Sequence, residues 1–102
     1  AEADTLVSAN VIEGAPRWGL QIGWGAYLRN VVVSGNVVRK APVGCAVSVA
    51  DGAGTAVITD NVFQETRDGA VLGFAWEKKV SGELADGGSP YAQLTIERNR
   101  VS

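Results

Sequence analysis

The chain has 102 residues, of which 46% are hydrophobic and 20% are charged, the balance of an ordinary globular domain. Its net charge of −2 comes without a basic stripe, so a general nucleic-acid binder is not expected. Histidine is absent and Cys45 is the single cysteine, which excludes histidine-dependent triads, His-based zinc sites and an intrachain disulfide. We expect no cofactor. The sequence contains no apolar run of about 18 residues, so no membrane span is predicted.

Four short segments share one pattern, in which an asparagine follows a branched apolar residue by three positions and precedes an apolar residue by two. They cover residues 5–12, 31–38, 56–63 and 94–101. The four asparagines are Asn10, Asn36, Asn61 and Asn99, at spacings of 26, 25 and 38 residues. We expect each asparagine to lie at a tight turn with left-handed backbone angles. Its side chain is expected to hydrogen-bond the neighbouring repeats, as a structural ladder.

A second segment follows each of the first three asparagines and begins with glycine, at residues 19–24, 44–49 and 69–74. Apolar residues alternate along it with a period of two, which predicts strands. The predicted inner positions are Leu20, Ile22 and Trp24, then Cys45, Val47 and Val49, then Ala70, Leu72 and Phe74. The opposite positions carry neither a carboxylate nor a base, so that surface is predicted to be bland.

These repeats predict an all-β fold, a right-handed parallel β-helix of three to four coils with roughly 25 residues each. Equivalent residues would then stack about 4.8 Å apart, which explains the columns of like residues. The alternative is a small β-sandwich, which does not predict an asparagine at the same register in every repeat. We expect one domain over residues 1–102, a fragment of a longer solenoid, with an inserted loop at 75–93. Open sheet edges at both ends predict end-to-end self-association.

The best copy of the motif joins residues 33–38 to residues 44–47, and it resembles the parallel β-helix repeats of pectate lyase-like proteins. The whole chain resembles the C-terminal part of the twin-arginine-translocated repetitive protein family of alphaproteobacteria. That likeness is carried by residues 31–49 and by the stretch from Phe74-Ala75-Trp76 to Leu94-Thr95-Ile96. The resemblance implies a periplasmic or secreted protein, and it implies no particular activity.

The 75–93 loop and the corner of the coil beside it are the main candidates for a binding surface, because insertions in solenoids map to one face. Aromatic rings beside polar groups suit a sugar, although they could also pack the loop onto the coil. The candidate ligand-binding residues are Tyr27, Arg29, Trp76, Glu77, Lys78, Asp86 and Tyr91. The sequence thus favours a non-catalytic module, structural or binding a polysaccharide or another protein. The alternative is part of a carbohydrate-active enzyme (lyase, hydrolase or epimerase) whose catalytic coils lie outside this chain.

Overall fold

A computed structural model describes residues 3–76, 78–85, 91 and 93–102. This part of the chain forms twelve β-strands and no helix, so the predicted all-β class is confirmed. The strands are β1 (Ala3–Ser8), β2 (Val11–Glu13), β3 (Trp18–Ile22), β4 (Arg29–Ser34), β5 (Val37–Arg39), β6 (Val43–Ser48), β7 (Ala56–Thr59), β8 (Val62–Gln64), β9 (Gly69–Ala75), β10 (Lys78–Glu83), β11 (Leu94–Glu97) and β12 (Arg100–Val101).

The strands form three sheets of four strands each, and consecutive strands along the chain mostly belong to different sheets. The first sheet has the order β1-β4-β7-β11, the second β2-β5-β8-β12 and the third β3-β6-β9-β10. All pairs are parallel except β9 with β10. This pairing differs from the antiparallel sheets of a β-sandwich. We call the three strands of one repeat a layer, so that β1, β2 and β3 form layer 1.

Strand β10 completes the fourth layer. The fourth repeat supplies β11 and β12 to the first and second sheets. The third sheet gains its fourth strand from within the predicted 75–93 loop, where β10 pairs antiparallel with β9, Lys79 opposite Phe74. Two side chains of β10 also bind β9. Glu83 accepts from the amides of Ala70 and Val71 at 2.7 Å each, and Oγ of Ser81 accepts from the amide of Gly73 at 2.7 Å. All three sheets therefore have the same number of strands.

The core contains the two columns that the asparagine pattern predicts. Val7, Val33, Ile58 and Ile96 are in register across the first sheet, and Ile12, Val38, Phe63 and Val101 are in register across the second. The members in the two middle layers are fully buried, while Val101 in layer 4 is 51% exposed. Burial of such side chains stabilises the fold by roughly 25 cal/mol per Å².

The left-handed residue of each turn precedes the asparagine, so the prediction that the asparagine itself is left-handed is wrong. In the four turns these residues are Ala9, Gly35, Asp60 and Arg98, with φ between 54° and 70°. This bend turns the chain so that the next side chain, the asparagine, faces its equivalents in the adjacent layers. A second left-handed column follows the strands of the second sheet, at Gly14, Lys40 and Glu65.

Of the predicted inner residues of β9, Ala70 lies in the core, but the prediction is wrong for Leu72 and Phe74. The reason is that β9 is shifted by one residue relative to the repeat. Val71 pairs with Cys45, and Phe74 pairs with Ser48. Residues 66–68 separate the left-handed Glu65 from β9, whereas only residues 41–42 separate Lys40 from β6. A one-residue shift exchanges the two faces of a strand. Val71 thus joins the core, while Leu72 and Phe74 belong to a separate cluster on the outer face.

Candidate functional site

The outer face of the third sheet carries a second apolar cluster, so the prediction of a bland surface there is wrong. The half-buried Trp18 of layer 1 and Phe74 of layer 3 meet with their ring centroids 5.1 Å apart at an interplanar angle of 62°. Layer 2 contributes Val43 and Ala46 to this cluster, and Ser48, which pairs with Phe74, is also buried. The side chains of Ala46 and Ser48 are small, which leaves room for rings from the layers on either side.

Trp24 belongs to this outer surface and not to the core, which corrects the predicted alternation of Leu20, Ile22 and Trp24. Strand β3 ends at Ile22, and Gly23 follows with φ of 77°. A left-handed residue breaks the alternation of a strand, and glycine adopts it without steric cost. Trp24 then lies half-buried with its ring centroid 6.5 Å from that of Trp18.

Trp76 lies in the turn between β9 and β10 and packs edge-on against two rings of layer 1. Its centroid is 5.9 Å from that of Trp24 and 6.3 Å from that of Tyr27, with interplanar angles of 81° and 80°. The benzene part of the indole lies on Gly25, where a Cβ atom would come within 2.2 to 2.5 Å of three ring atoms. Gly25 also has φ of 57°. This contact therefore requires glycine at position 25.

Together these rings form the aromatic row, which we define as Phe74, Trp18, Trp24, Trp76 and Tyr27 in spatial order. Edge-to-face contacts of this kind are the favoured geometry of aromatic pairs. The row ends in solvent, because Trp76 is 48% and Tyr27 is 63% exposed. A cation lies against the second ring of the row, where the guanidinium carbon of Arg17 is 4.4 Å from the centroid of the Trp18 ring.

An open cleft of about 500 Å³ adjoins the exposed end of the row, and Tyr27, Arg29, Gly52 and Gly54 are among its lining residues. Arg29 forms an exposed ion pair with Asp4, with Nη2 and Oδ2 2.5 Å apart. Hydrogen bonds from the side chains of Arg29 and Asn30 lower the pKa of Asp4. One wall of the cleft is thus apolar, and another carries a guanidinium.

The predicted ligand-binding residues are only partly brought together. Tyr27 and Trp76 are in contact, Arg29 lines the cleft beside Tyr27, and Lys78 is exposed at the start of β10. Tyr91 is half-buried and packs against the core. Glu77 and Asp86 lie outside the described residues. The sequence reasoning missed Trp18 and Phe74, and the signal for them was the pair of small residues between their layers.

The asparagines form the hydrogen-bonded column that the sequence pattern predicts. Oδ1 of Asn36 accepts from the backbone amide and from Nδ2 of Asn10, at 3.1 and 3.0 Å. Asn61 accepts both donors of Asn36 at 3.0 Å, and Asn99 accepts both donors of Asn61 at 3.1 and 2.9 Å. Nδ2 of Asn36, Asn61 and Asn99 also donates to a carbonyl of the preceding layer. The asparagines hold the layers in register.

No protein-family model matches the chain, and the searches of curated proteins and solved structures found no significant match. Among the described residues, no three or more His, Cys, Asp or Glu side chains are grouped so that they could hold a metal ion. Within the same residues, no helix is long and apolar enough to cross a membrane.

Proposed function

We propose that this chain is a section of right-handed parallel β-helix in an exported protein, and that it binds carbohydrate through the aromatic row. The architecture is supported by the strand order of the three sheets, in which equivalent strands of successive repeats pair in parallel, with β10 as the exception. The in-register asparagine column supports it as well. Export to the periplasm or beyond rests on the sequence resemblance to twin-arginine-translocated repetitive proteins. The pectate lyase-like motif supports carbohydrate as the ligand class.

The observation that carries the proposal is the exposure of Trp76 and Tyr27 on a supported surface. Large apolar side chains that stay exposed and adjacent commonly mark an interaction site. The indole of Trp76 is held by Gly25 and by Trp24, so its position is fixed before a ligand arrives, which lowers the entropic cost of binding. Sugar rings have apolar faces that stack on aromatic rings, and their hydroxyl groups need donors such as the Arg29 guanidinium beside Tyr27.

A second candidate is an enzyme acting on carbohydrate, with its catalytic residues in coils outside this chain. The cleft of about 500 Å³ beside Tyr27 favours it, because an extended substrate could be held there while reacting elsewhere. The test is turnover of uronate polymers by the parent protein in the presence of Ca²⁺. Activity that is abolished by substitutions outside residues 1–102 would support this candidate.

The test of carbohydrate binding is a panel of oligosaccharides followed by titration calorimetry with the best ligand. Tyr27→Ala removes an exposed ring of the row, and Val80→Ala is the matched control, because Val80 is 45% exposed and not part of the row. We expect Tyr27→Ala to weaken binding about tenfold, which corresponds to about 1.4 kcal/mol, and Val80→Ala to leave it unchanged. Equal affinities for both variants would remove the aromatic row from the proposal. If the chain binds another protein and no saccharide, the ligand class is protein and not carbohydrate.

A further inference from the structure

Neighbouring rings of the aromatic row are inclined to one another at every contact. The interplanar angle is 62° between Phe74 and Trp18 and 40° between Trp18 and Trp24. It is 81° between Trp24 and Trp76, and 80° between Trp76 and Tyr27 at the exposed end. A flat surface can lie against only one of two ring planes that meet near a right angle. The row therefore presents no flat platform.

The angle between Trp76 and Tyr27 is fixed by the chain around them. The amide of Tyr27 donates to the carbonyl of Trp24 at 3.0 Å, which closes a tight turn. Gly25 lies inside this turn, where the absence of a side chain leaves room for the indole of Trp76. Directly after the turn, Leu28 is 2% exposed and anchors the chain in the core. The two rings are therefore held at their angle before a ligand arrives.

Tyr27 and Trp76 lie on the side of the stack of layers and not at its ends. Tyr27 follows β3 of layer 1 and Trp76 follows β9 of layer 3, so their contact crosses layer 2. Further coils of a longer protein would stack on layers 1 and 4, above and below this contact. The exposure of the two rings, 63% and 48%, therefore belongs to the side face.

We propose that the row binds a single glycan chain whose neighbouring sugar rings are inclined to one another, with one unit on Trp76 and the next on Tyr27. The inference rests on the proposed carbohydrate binding and names the class of saccharide. Chains of α-linked glucose wind into helices, so successive units can turn their apolar faces to different aromatic rings. Flat β-linked ribbons of the cellulose type keep successive rings nearly coplanar and can use only one of the two aromatic faces.

The cleft beside Tyr27 also favours a single chain over the face of a crystal. Its volume of about 500 Å³ lies within the range of about 300–1,000 Å³ that is usual for small-molecule sites. At Gly54, which lines it, a Cβ atom would come within 2.7 Å of the carbonyl oxygen of Leu28, so this wall carries no side chain. A chain that bends at Tyr27 can continue into the cleft and accept hydrogen bonds from Arg29. A flat polysaccharide sheet would pass over the cleft and leave these donors unused.

The test is calorimetry with an oligosaccharide panel that pairs each flat ribbon with an inclined chain of the same length, as in cellotetraose and maltotetraose. We expect the tightest ligand to be an inclined chain, bound about tenfold or more tightly than its flat partner. We also expect no retention of the protein on crystalline cellulose or chitin. A flat ribbon as the tightest ligand, equal affinities within its pair, or retention on the crystals would overturn the inference and leave carbohydrate binding intact. Binding of no saccharide would refute both.

Tyr27→Ala gives a readout that a loss of folding would not produce. With only the plane of Trp76 left, the inclined chain should lose its advantage and bind about as tightly as its flat partner. Val80→Ala is the matched control on β10, where the side chain is 45% exposed, and it should keep the wild-type ratio of the two affinities. Circular dichroism checks that each variant is folded. A Tyr27→Ala variant that keeps the wild-type ratio would overturn the two-ring site.

Discussion

Substitution of Asn61 by alanine should be among the most damaging single changes in this protein. Its side chain takes part in four hydrogen bonds, as acceptor from the backbone amide and Nδ2 of Asn36 and as donor to Val33 and Asn99. Asn36 is itself 1% exposed, so water cannot replace the lost acceptor. A buried polar group without a partner costs about 1–3 kcal/mol. The backbone amide of Asn36 loses its acceptor, whereas Nδ2 of Asn36 keeps the carbonyls of Val7 and Ser34 as acceptors. Because the bonds from Asn61 to Val33 and Asn99 are lost as well, we expect Asn61→Ala to lower the free energy of unfolding by about 2–3 kcal/mol.

The matched control is Asn10→Ala at the exposed end of the same column. Asn36 keeps the backbone amide of Asn10 as a donor, at 3.1 Å, so only donors in contact with solvent are lost. We expect a loss of about 1 kcal/mol or less. Urea unfolding in dilute solution, followed by circular dichroism, measures both values. Equal losses at the two positions would refute the reasoning, because they would show that burial of the column does not determine its contribution.

Three further predictions concern other parts of the molecule. Gly25→Ala should displace the Trp76 ring and change the tryptophan fluorescence. Gly52→Ala is the control and should not change it, because the nearest atom would be 3.4 Å from the new Cβ. Equal spectra for the two variants would contradict the contact between Gly25 and Trp76. Burial raises the pKa of the Cys45 thiol to about 12, from 9.0, so folding keeps the proton. The contribution of the protonated thiol to the free energy of unfolding is fully present below pH 9 and falls as pH rises from 9 toward 12. Cys45→Ala should therefore flatten this decline. An unchanged pH profile of stability in the variant would argue against this role of Cys45. Glu83→Ala leaves two amides at the start of β9 without their acceptor. We expect it to lower the free energy of unfolding, measured in a urea titration, by about 2 kcal/mol. A change below about 0.5 kcal/mol would mean that water replaces the carboxylate.

The asparagine column and the two apolar columns could be predicted from the sequence because they depend on stacking alone. A residue in such a column meets its own equivalent in the next layer, so the repeat reveals the contact. The inner face of β9 could not be predicted in the same way. Gly69 matches Gly44 in the sequence alignment, but Gly69 pairs with Val43 in the structure. One additional residue at the corner before β9 accounts for this shift in register. The spacing of the asparagines does not reveal that residue.

The candidate site was less predictable because its contacts cross a whole layer. The sequence predicts Tyr27 and Trp76 at the same corner of the coil, and the structure places them together. Trp18 and Phe74 come from layers 1 and 3, so their contact depends on the size of the layer 2 residues on that face, such as Val43 and Ala46. Alternation continued past Gly23 predicts Trp24 in the core, and the left-handed backbone angle of Gly23, which breaks the alternation, is not evident from the sequence.

The antiparallel strand β10 has a consequence for the order of folding. A parallel pair between layers must close a loop of about 25 residues before its hydrogen bonds form, whereas β9 and β10 are adjacent in the chain and need only a tight turn at Trp76. Hairpins form within about 1–10 μs, and structures with local contacts form faster than those with distant ones. The hairpin of β9 and β10 is therefore the expected nucleus, and the remaining parallel strands would add to a sheet edge that already exists.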